Sequence, residues 1–205
     1  VAIGSVNGII GGSGAGDRNI ISGNGQNGIS LTGSSCTIRG NYIGTDVNGV
    51  LNLGNTGGGI IILGASNTIG GGNAGDGNLI SGNNSGGIGA SSTASVTVVQ
   101  GNYIGTDKTG TVAIPNVGVG VNSDGVNAII GGSAAGERNI IAASTSHGIS
   151  IAGVGSVVKG NYVGTDVAGI TDLGNSGAGI RVNGASITIG GSASGEGNLV
   201  SGNNT

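Results

Sequence analysis

The chain repeats itself at an interval of about thirty residues, and this repeat restricts its fold more than any other feature. Gly-Gly pairs, separated by 59, 61 and 59 residues, begin at Gly11, Gly70, Gly131 and Gly190. Between them, an apolar residue that follows glycine recurs at intervals of 28 to 33 residues, as Ile29, Ile60, Ile88, Val121, Ile149 and Ile180. Two kinds of unit therefore alternate. A unit this short can bury its apolar side only against neighbouring units, in a solenoid.

Each unit holds three short apolar stretches separated by Gly, Asn, Ser and Asp. Stretches such as GISLTG and GIRVNG alternate in polarity, which is typical of strands, and no segment has a sustained helical period. A second apolar column contains Ile10, Ile38, Ile69, Val99, Ile130, Val158 and Ile189. A third contains Ile20, Leu51, Leu79, Ile140 and Leu199. The pattern predicts an all-β solenoid of about seven coils of about thirty residues, each with three short strands, stacked roughly 4.8 Å apart.

The composition supports strands with small and β-branched core side chains, and it excludes several kinds of binding partner. The chain has 51 glycines and no Phe, Trp or Met, so its core must consist of small and β-branched side chains. Six basic and nine acidic residues give a net charge of −3, which is the wrong sign for nucleic-acid binding. No apolar run is long enough for membrane insertion. Cys36 is the only thiol, which excludes an intrachain disulfide or a cysteine metal site.

Several recurring phrases resemble a known kind of protein. GNYIGTD occupies residues 40–46 and 101–107, GNYVGTD occupies 160–166, and the phrases NIISGN, NLISGN and GISI occupy 19–24, 78–83 and 148–151. These phrases resemble the right-handed parallel β-helix repeats of bacterial secreted and surface proteins, within the pectate-lyase-like superfamily. The resemblance covers residues 1–205 and implies one continuous β-solenoid segment of a longer repeat protein, located outside the cell or on its surface. The superfamily includes lyases, hydrolases, adhesins and passive stalks, so the resemblance implies no single activity.

A column of amides precedes the first apolar column by five residues. Stacked asparagines can hydrogen-bond from coil to coil and tolerate the backbone angles of turns. We therefore predict a structural ladder of Asn24, Asn55, Asn83, Asn116, Ser144, Asn175 and Asn203.

Seven of the nine acidic residues also recur at intervals of 29 to 31 residues, as Asp17, Asp46, Asp76, Asp107, Glu137, Asp166 and Glu196. We expect them to form one column at a single corner of the coils. One interpretation is turn capping, in which each carboxylate accepts backbone N–H groups. The other is calcium binding, because stacked carboxylates repel one another and supply the oxygen ligands that Ca²⁺ prefers. Calcium is the one cofactor that the sequence suggests.

Catalytic motifs are incomplete, so we predict no catalytic residue. His147 is the only histidine, and Asp124 follows Asn122 and Ser123 in a motif similar to the NTD of β-helix hydrolases. The register separates His147 from Asp124 by roughly 17 Å along extended strands, too far for carboxylate-based glycoside hydrolysis. The three tyrosines, Tyr42, Tyr103 and Tyr162, recur in alternate coils, roughly 10 Å apart. They predict corner packing, with weak carbohydrate contact as the alternative.

These features favour a structural role. We expect a rod, stalk or filament-forming segment of an exported cell-surface repeat protein, with adhesion as an added role. Its expected partners are adjacent coils, end-to-end copies of itself and surface polysaccharide. The alternative is a polysaccharide lyase or glycoside hydrolase whose active site lies largely outside this segment. Ice binding is the weakest alternative, because no Thr-x-Thr array recurs on every coil.

Overall fold

The computed structural model describes residues 1–205 as a parallel β-solenoid of seven coils. Each coil contributes one short strand to each of three seven-stranded sheets, and every pair of neighbouring strands within a sheet is parallel. The only helices are two single 3-10 turns, at Ala15–Asp17 and Ala135–Glu137. The predicted fold class is confirmed. The hand of the winding stays a prediction.

The strands are two or three residues long. The first sheet contains β1 (Ala2–Ile3), β4 (Ile29–Leu31), β7 (Ile60–Ile62), β10 (Ile88–Ala90), β13 (Val121–Ser123), β16 (Ile149–Ile151) and β19 (Ile180–Val182). The second sheet contains β2 (Ile9–Gly11), β5 (Thr37–Arg39), β8 (Thr68–Gly70), β11 (Val98–Gln100), β14 (Ile129–Gly131), β17 (Val157–Lys159) and β20 (Thr188–Ile189). The third sheet contains β3 (Ile20–Ile21), β6 (Tyr42–Ile43), β9 (Leu79–Ile80), β12 (Tyr103–Ile104), β15 (Ile140–Ile141), β18 (Tyr162–Val163) and β21 (Leu199–Val200).

The first two apolar columns lie where the sequence predicted them. In the first sheet, Ile60 lies opposite Ile29 on one side and Ile88 on the other. In the second sheet, Ile38 lies opposite Ile10 and Ile69, and the pairing continues to the last coil. These side chains point inward and fill the centre of the solenoid, where most are less than 4% exposed. The apolar core is therefore a set of continuous aliphatic columns.

The predicted third column is wrong at Leu51. Leu51 is 61% exposed and lies in a loop, whereas Tyr42 occupies the third-sheet position between Ile20 and Leu79. The outward-facing positions of this sheet thus alternate between aliphatic and aromatic residues: Ile20, Tyr42, Leu79, Tyr103, Ile140, Tyr162 and Leu199. The inward-facing column consists instead of the residues that follow them, beginning with Ile21 and Ile43.

The error arises because alternate coils place their long loop at different corners. In coils one, three, five and seven, a loop of about eight residues, such as 12–19, joins the second sheet to the third. In coils two, four and six, that connection has two residues, and a sixteen-residue loop such as 44–59 joins the third sheet to the first. A spacing of about thirty residues therefore relates equivalent positions in the first two sheets, but not in the connections around the third.

The Gly-Gly pairs end second-sheet strands in the odd-numbered coils. Gly70 has a φ of +87°, and a Cβ atom at this position would collide with the carbonyl oxygen of Gln100 in the next coil. Only glycine avoids both the backbone strain and the collision. The most visible feature of the repeat thus marks the place where the chain leaves the second sheet.

Candidate functional site

The predicted amide ladder is formed by hydrogen bonds between successive coils. Asn55 Nδ2 donates to Asn83 Oδ1 at 2.8 Å, and Asn83 Nδ2 donates to Asn116 Oδ1 at 3.0 Å. The same pattern links Asn24 to Asn55 and Asn175 to Asn203. At Ser144 the chain of amides is interrupted, because the Ser144 hydroxyl is buried without a hydrogen-bond partner. This first ladder lies at the corner between the third and first sheets.

A second ladder, which was not predicted from the sequence, lies at the corner between the second and third sheets. Its seven rungs are Asn19, Asn41, Asn78, Asn102, Asn139, Asn161 and Asn198. Every rung but the last donates from Nδ2 to the Oδ1 atom of the next, at distances of 2.8 to 3.1 Å. The sequence signal was the asparagine directly before each third-sheet strand. It was hidden because its spacing alternates between short and long intervals.

The predicted single column of acidic residues is wrong. Asp46 follows β6 by three residues, whereas Asp76 precedes β9 by three residues, and β6 and β9 are parallel neighbours. The two carboxylates therefore lie at opposite ends of the third-sheet strands. The even-coil acids, Asp46, Asp107 and Asp166, occupy one corner, and the odd-coil acids, Asp17, Asp76, Glu137 and Glu196, occupy the other. Within each set, two coils separate successive carboxylates, roughly 9.6 Å along the axis.

The even-coil acids bind backbone N–H groups of their own loops. Leu51 and Val50 donate to the Asp46 carboxylate, and these bonds lower the pKa of Asp46 below its ordinary value. The pKa of Asp166 is lowered in the same way by the N–H groups of Ile170 and Thr171. These carboxylates shape the start of each long loop.

Asp107 is the most extensively hydrogen-bonded member of the even-coil set. Burial acts to raise the pKa of Asp107, but hydrogen bonds from the Thr109 hydroxyl and from the N–H groups of Val112 and Thr111 outweigh it and lower the pKa. Asp107 is therefore held as the ionised carboxylate that its loop requires.

The odd-coil acids accept backbone N–H groups of their shorter loops, and two of them, Asp76 and Glu196, also pair with a base of the preceding coil. The carboxylate of Glu196 accepts a hydrogen bond from Ala193 N and lies 2.7 Å from Lys159 Nζ. The Lys159 ammonium is the main cause of the lowered pKa of Glu196. Asp76 pairs more loosely with Arg39, with an oxygen-to-nitrogen distance of 3.6 Å. Arg39 and Lys159 both end second-sheet strands, in coils two and six, and each pairs with an acid of the coil that follows.

The acidic side chains therefore lack the single stacked column that suggested calcium. No group of three or more His, Cys, Asp or Glu side chains is arranged to hold a metal ion. The seven acids accept hydrogen bonds or ion pairs from their own loops and from neighbouring coils. Calcium binding stays a prediction without the stacked carboxylates that motivated it.

His147 and Asp124 lie at different places on the first sheet. The Nδ1 atom of His147 accepts a hydrogen bond from Ala178 N at 3.0 Å, and its Nε2 atom lies 3.4 Å from an Arg181 nitrogen. Asp124 instead accepts a hydrogen bond from Asn122 at 3.3 Å. The histidine therefore contacts a neutral backbone group and a cation rather than a carboxylate.

One cavity of the molecule lies on the outer face of the third sheet. The odd-coil and even-coil loops flank this face, and between them is a groove of about 290 Å³, here called the tyrosine groove. Its floor contains Tyr42, Leu79 and Tyr103, and its rim includes Arg18, Asn73 and Lys108. Two bases and no acid line it, although the whole chain has more acidic than basic residues.

Tyr103 differs from the other two tyrosines in what covers its ring. Arg18 lies over the Tyr42 ring, 4.2 Å from its centroid, and Arg138 lies over Tyr162 at 3.9 Å. In the coil that precedes Tyr103, Gly77 occupies the position that Arg18 and Arg138 occupy in the coils preceding the other two tyrosines. No guanidinium therefore covers the Tyr103 ring. Burial, and to a smaller extent the Asp107 carboxylate, raise the pKa of Tyr103, so its phenol stays neutral. The groove is open where this cation is missing.

Comparisons of the chain with protein-family models, with curated proteins and with solved structures found no match. Neither of the two short 3-10 turns, the only helices, approaches the length and apolarity that a membrane-crossing helix needs.

Proposed function

We propose that this chain is a structural rod or stalk segment of an exported cell-surface repeat protein. The proposal includes membership of the bacterial secreted and surface β-helix proteins of the pectate-lyase-like type, which the GNYIGTD phrases resemble. The observation that carries it is the second asparagine ladder, whose six links join all seven coils without interruption.

The ladder matters because its hydrogen bonds run along the solenoid axis. Each coil is bonded to the next through strands of three sheets and through at least one buried amide at a corner. Separating two coils requires all of these hydrogen bonds to break at the same time, because they all cross the boundary between the same two coils. Such a body resists extension along its axis and can be lengthened by adding coils, as a stalk or filament requires.

The outer coils supply a second argument. The strands of coils one and seven each have one unpaired backbone edge, and apolar residues such as Ile9 and Ile189 are 66% and 45% exposed there. An open edge pairs readily with a further strand. A continuing chain or a second copy would extend the same columns of aliphatic and amide groups.

Electron microscopy and cell labelling test this function. We expect rods of constant width and of lengths above the roughly 34 Å that seven coils span, and antibodies to the chain that label intact source cells. Labelling only after the cells are permeabilised would contradict a surface role. Release of unsaturated or reducing sugars from acidic polysaccharides would favour the lyase or hydrolase alternative.

A further inference from the structure

We propose that Asn183 is a site of self-modification, at which the chain converts an asparagine into aspartate and isoaspartate with water as the only co-reactant. The inference concerns the covalent chemistry of the chain and does not depend on the rod function. The conversion starts at an asparagine that precedes glycine. The five Asn-Gly pairs of the chain begin at Asn7, Asn24, Asn27, Asn48 and Asn183. The structure leaves one of these pairs free to react.

The reaction needs a free glycine nitrogen beside a free asparagine amide. The backbone nitrogen of Gly184 attacks Cγ of Asn183, its proton passes through water to Nδ2, the Cγ–Nδ2 bond breaks and ammonia leaves. Water then opens the resulting five-membered imide at either carbonyl carbon. Opening at Cγ gives isoaspartate or aspartate according to which C–N bond breaks: loss of the Cγ–N bond restores the main chain as aspartate, and loss of the main-chain bond gives isoaspartate. Glycine favours ring closure because it has no side chain to restrict the approach.

Asn183 meets both conditions. Its side chain is exposed and makes no hydrogen bond, and the N–H group of Gly184 has no acceptor. The residues at the corresponding position of inner coils, such as Thr32, Leu63 and Asp124, are exposed as well. The exposure of Asn183 is therefore a property of this corner and not of the last coil.

The stacking of the coils requires the glycine that follows Asn183. A Cβ atom on Gly184 would collide with the carbonyl oxygen of Ala152 in the preceding coil. Gly64 and Gly153, at the same corner, are required for the same reason. The fold thus keeps the neighbour that makes Asn183 reactive.

Asn48 provides the closest comparison, because its side chain is also exposed. The N–H group of Gly49, however, donates to the carbonyl oxygen of Asp46 at 3.0 Å. This turn is capped by the Asp46 carboxylate, which accepts the N–H groups of Val50 and Leu51. The bond must open before the nitrogen can react, so conversion at Asn48 should be about tenfold slower than at Asn183.

The remaining three pairs are held by other contacts. The N–H group of the glycine after Asn27 donates to Gly58 O at 3.0 Å, and that of the glycine after Asn7 donates to Cys36 Sγ at 3.3 Å. The amide of Asn24 is a rung of the first ladder and donates to the next rung at 2.7 Å. Each pair therefore lacks one of the two free groups that the reaction needs.

The test is incubation of the whole chain in mildly alkaline buffer, followed by digestion, chromatographic separation of aspartate from isoaspartate peptides, and mass spectrometry. We expect conversion first at Asn183, at least about tenfold faster than at Asn48. In urea sufficient to unfold the chain, all five pairs should convert at similar rates, because the residue that follows each asparagine is the same and the folded contacts are gone.

Two variants separate the structural cause from the dipeptide itself. Asn183→Gln should abolish conversion at this position and leave the other four rates unchanged, because glutamine would have to close a larger ring. Asp46→Ala removes the cap of the turn around Asn48 and should raise the rate at Asn48 severalfold, with the rate at Asn183 as the internal control. Thermal unfolding checks that both variants are folded. If Asp46→Ala does not fold, the comparison of the parent chain with and without urea provides the test.

Four results would overturn the proposal. They are no conversion at Asn183 in the folded chain, equal rates at Asn183 and Asn48, the same order of rates in urea as in the folded chain, and an unchanged rate at Asn48 in folded Asp46→Ala.

Discussion

Replacing Asn102 by alanine should destabilise the solenoid more than replacing any solvent-exposed residue by alanine. The Asn102 amide is fully buried and has five hydrogen-bonding partner atoms at the centre of the second ladder. The two hydrogens of its Nδ2 group are shared among the carbonyl oxygens of Ile69 and Gln100 and Asn139 Oδ1, all at 2.9 to 3.0 Å. Its Oδ1 atom accepts from the backbone and side-chain nitrogens of Asn78, at 3.0 and 2.9 Å.

The expected magnitude follows from these bonds. Each hydrogen bond contributes about 1 kcal/mol net, and a buried partner left unpaired costs about 1 to 3 kcal/mol. Allowing for some relaxation and water entry, Asn102→Ala should lower the free energy of unfolding by about 4 kcal/mol. Urea unfolding followed by circular dichroism measures this change, with the denaturant slope checked for constancy.

The matched control is Asn84→Ala. Asn84 is exposed and its side-chain amide makes no hydrogen bond, so this change should stay within about 0.5 kcal/mol of the parent protein. A loss below about 1 kcal/mol for Asn102→Ala, or a loss equal to that of the control, would refute the ladder as a source of stability.

Three further substitutions or conditions test local features. Ser144→Asn should restore the interrupted rung by offering Oδ1 to the Asn116 amide, raising the free energy of unfolding by about 1 kcal/mol in urea titrations. Val96→Asn should also raise it by about 1 kcal/mol, because Val96 has a φ of +55° that asparagine tolerates better. The lowered pKa values of Asp46 and Asp166 predict stability that is fully present above about pH 4 and lost as the pH falls through the folded values, as a series of melting temperatures will record.

Opposite results have clear meanings. A destabilised Ser144→Asn variant would show that the corner cannot accept an amide there. A destabilised Val96→Asn variant would mean that packing of the valine outweighs its backbone strain. A double variant, Asp46→Asn with Asp166→Asn, should have a flatter pH profile below pH 4 than the parent, and an unchanged profile would rule out these carboxylates as its cause.

The sequence predicted the parts of the fold that follow a constant spacing. Residues such as Ile29 and Ile60 recur after glycine in coils two to seven, and their burial is decided by the period-two alternation of short strands. The asparagines before them shared that spacing, so the first ladder could be predicted as well. In both cases nearly the same number of residues separates equivalent positions in successive coils.

The third sheet could not be read in this way. The long loop lies before it in odd coils and after it in even coils, so residues thirty apart, such as Asp46 and Asp76, are not equivalent. The same alternation replaced Tyr42 by Leu51 in the predicted column and hid the second ladder. Counting each asparagine from the next third-sheet strand, rather than from the preceding glycine pair, would have revealed that ladder.

The groove was only partly visible in the sequence. The even spacing of Tyr42, Tyr103 and Tyr162 suggested rungs along the axis, with carbohydrate contact as an alternative interpretation. That Gly77 leaves one ring uncovered, and that Lys108 faces the same groove, depends on loops from four coils meeting over the sheet. Such meetings are set by the three-dimensional register and not by any local pattern.

The central claim is that the coils stack in parallel with the stated register, and engineered disulfides measure this most directly. Ser30 and Ile61 lie opposite each other on the outer face of the first sheet, so their Cα atoms are roughly 4.8 Å apart, within the range that a disulfide spans. In a Cys36→Ser background, Ser30→Cys with Ile61→Cys should form a cross-link rapidly under mild oxidation. Ser30→Cys with Leu63→Cys, displaced by two residues to roughly 8 Å, should not. Cross-linking of the displaced pair in preference to the opposed pair would contradict the register on which the ladders, the separated acids and the tyrosine groove all depend.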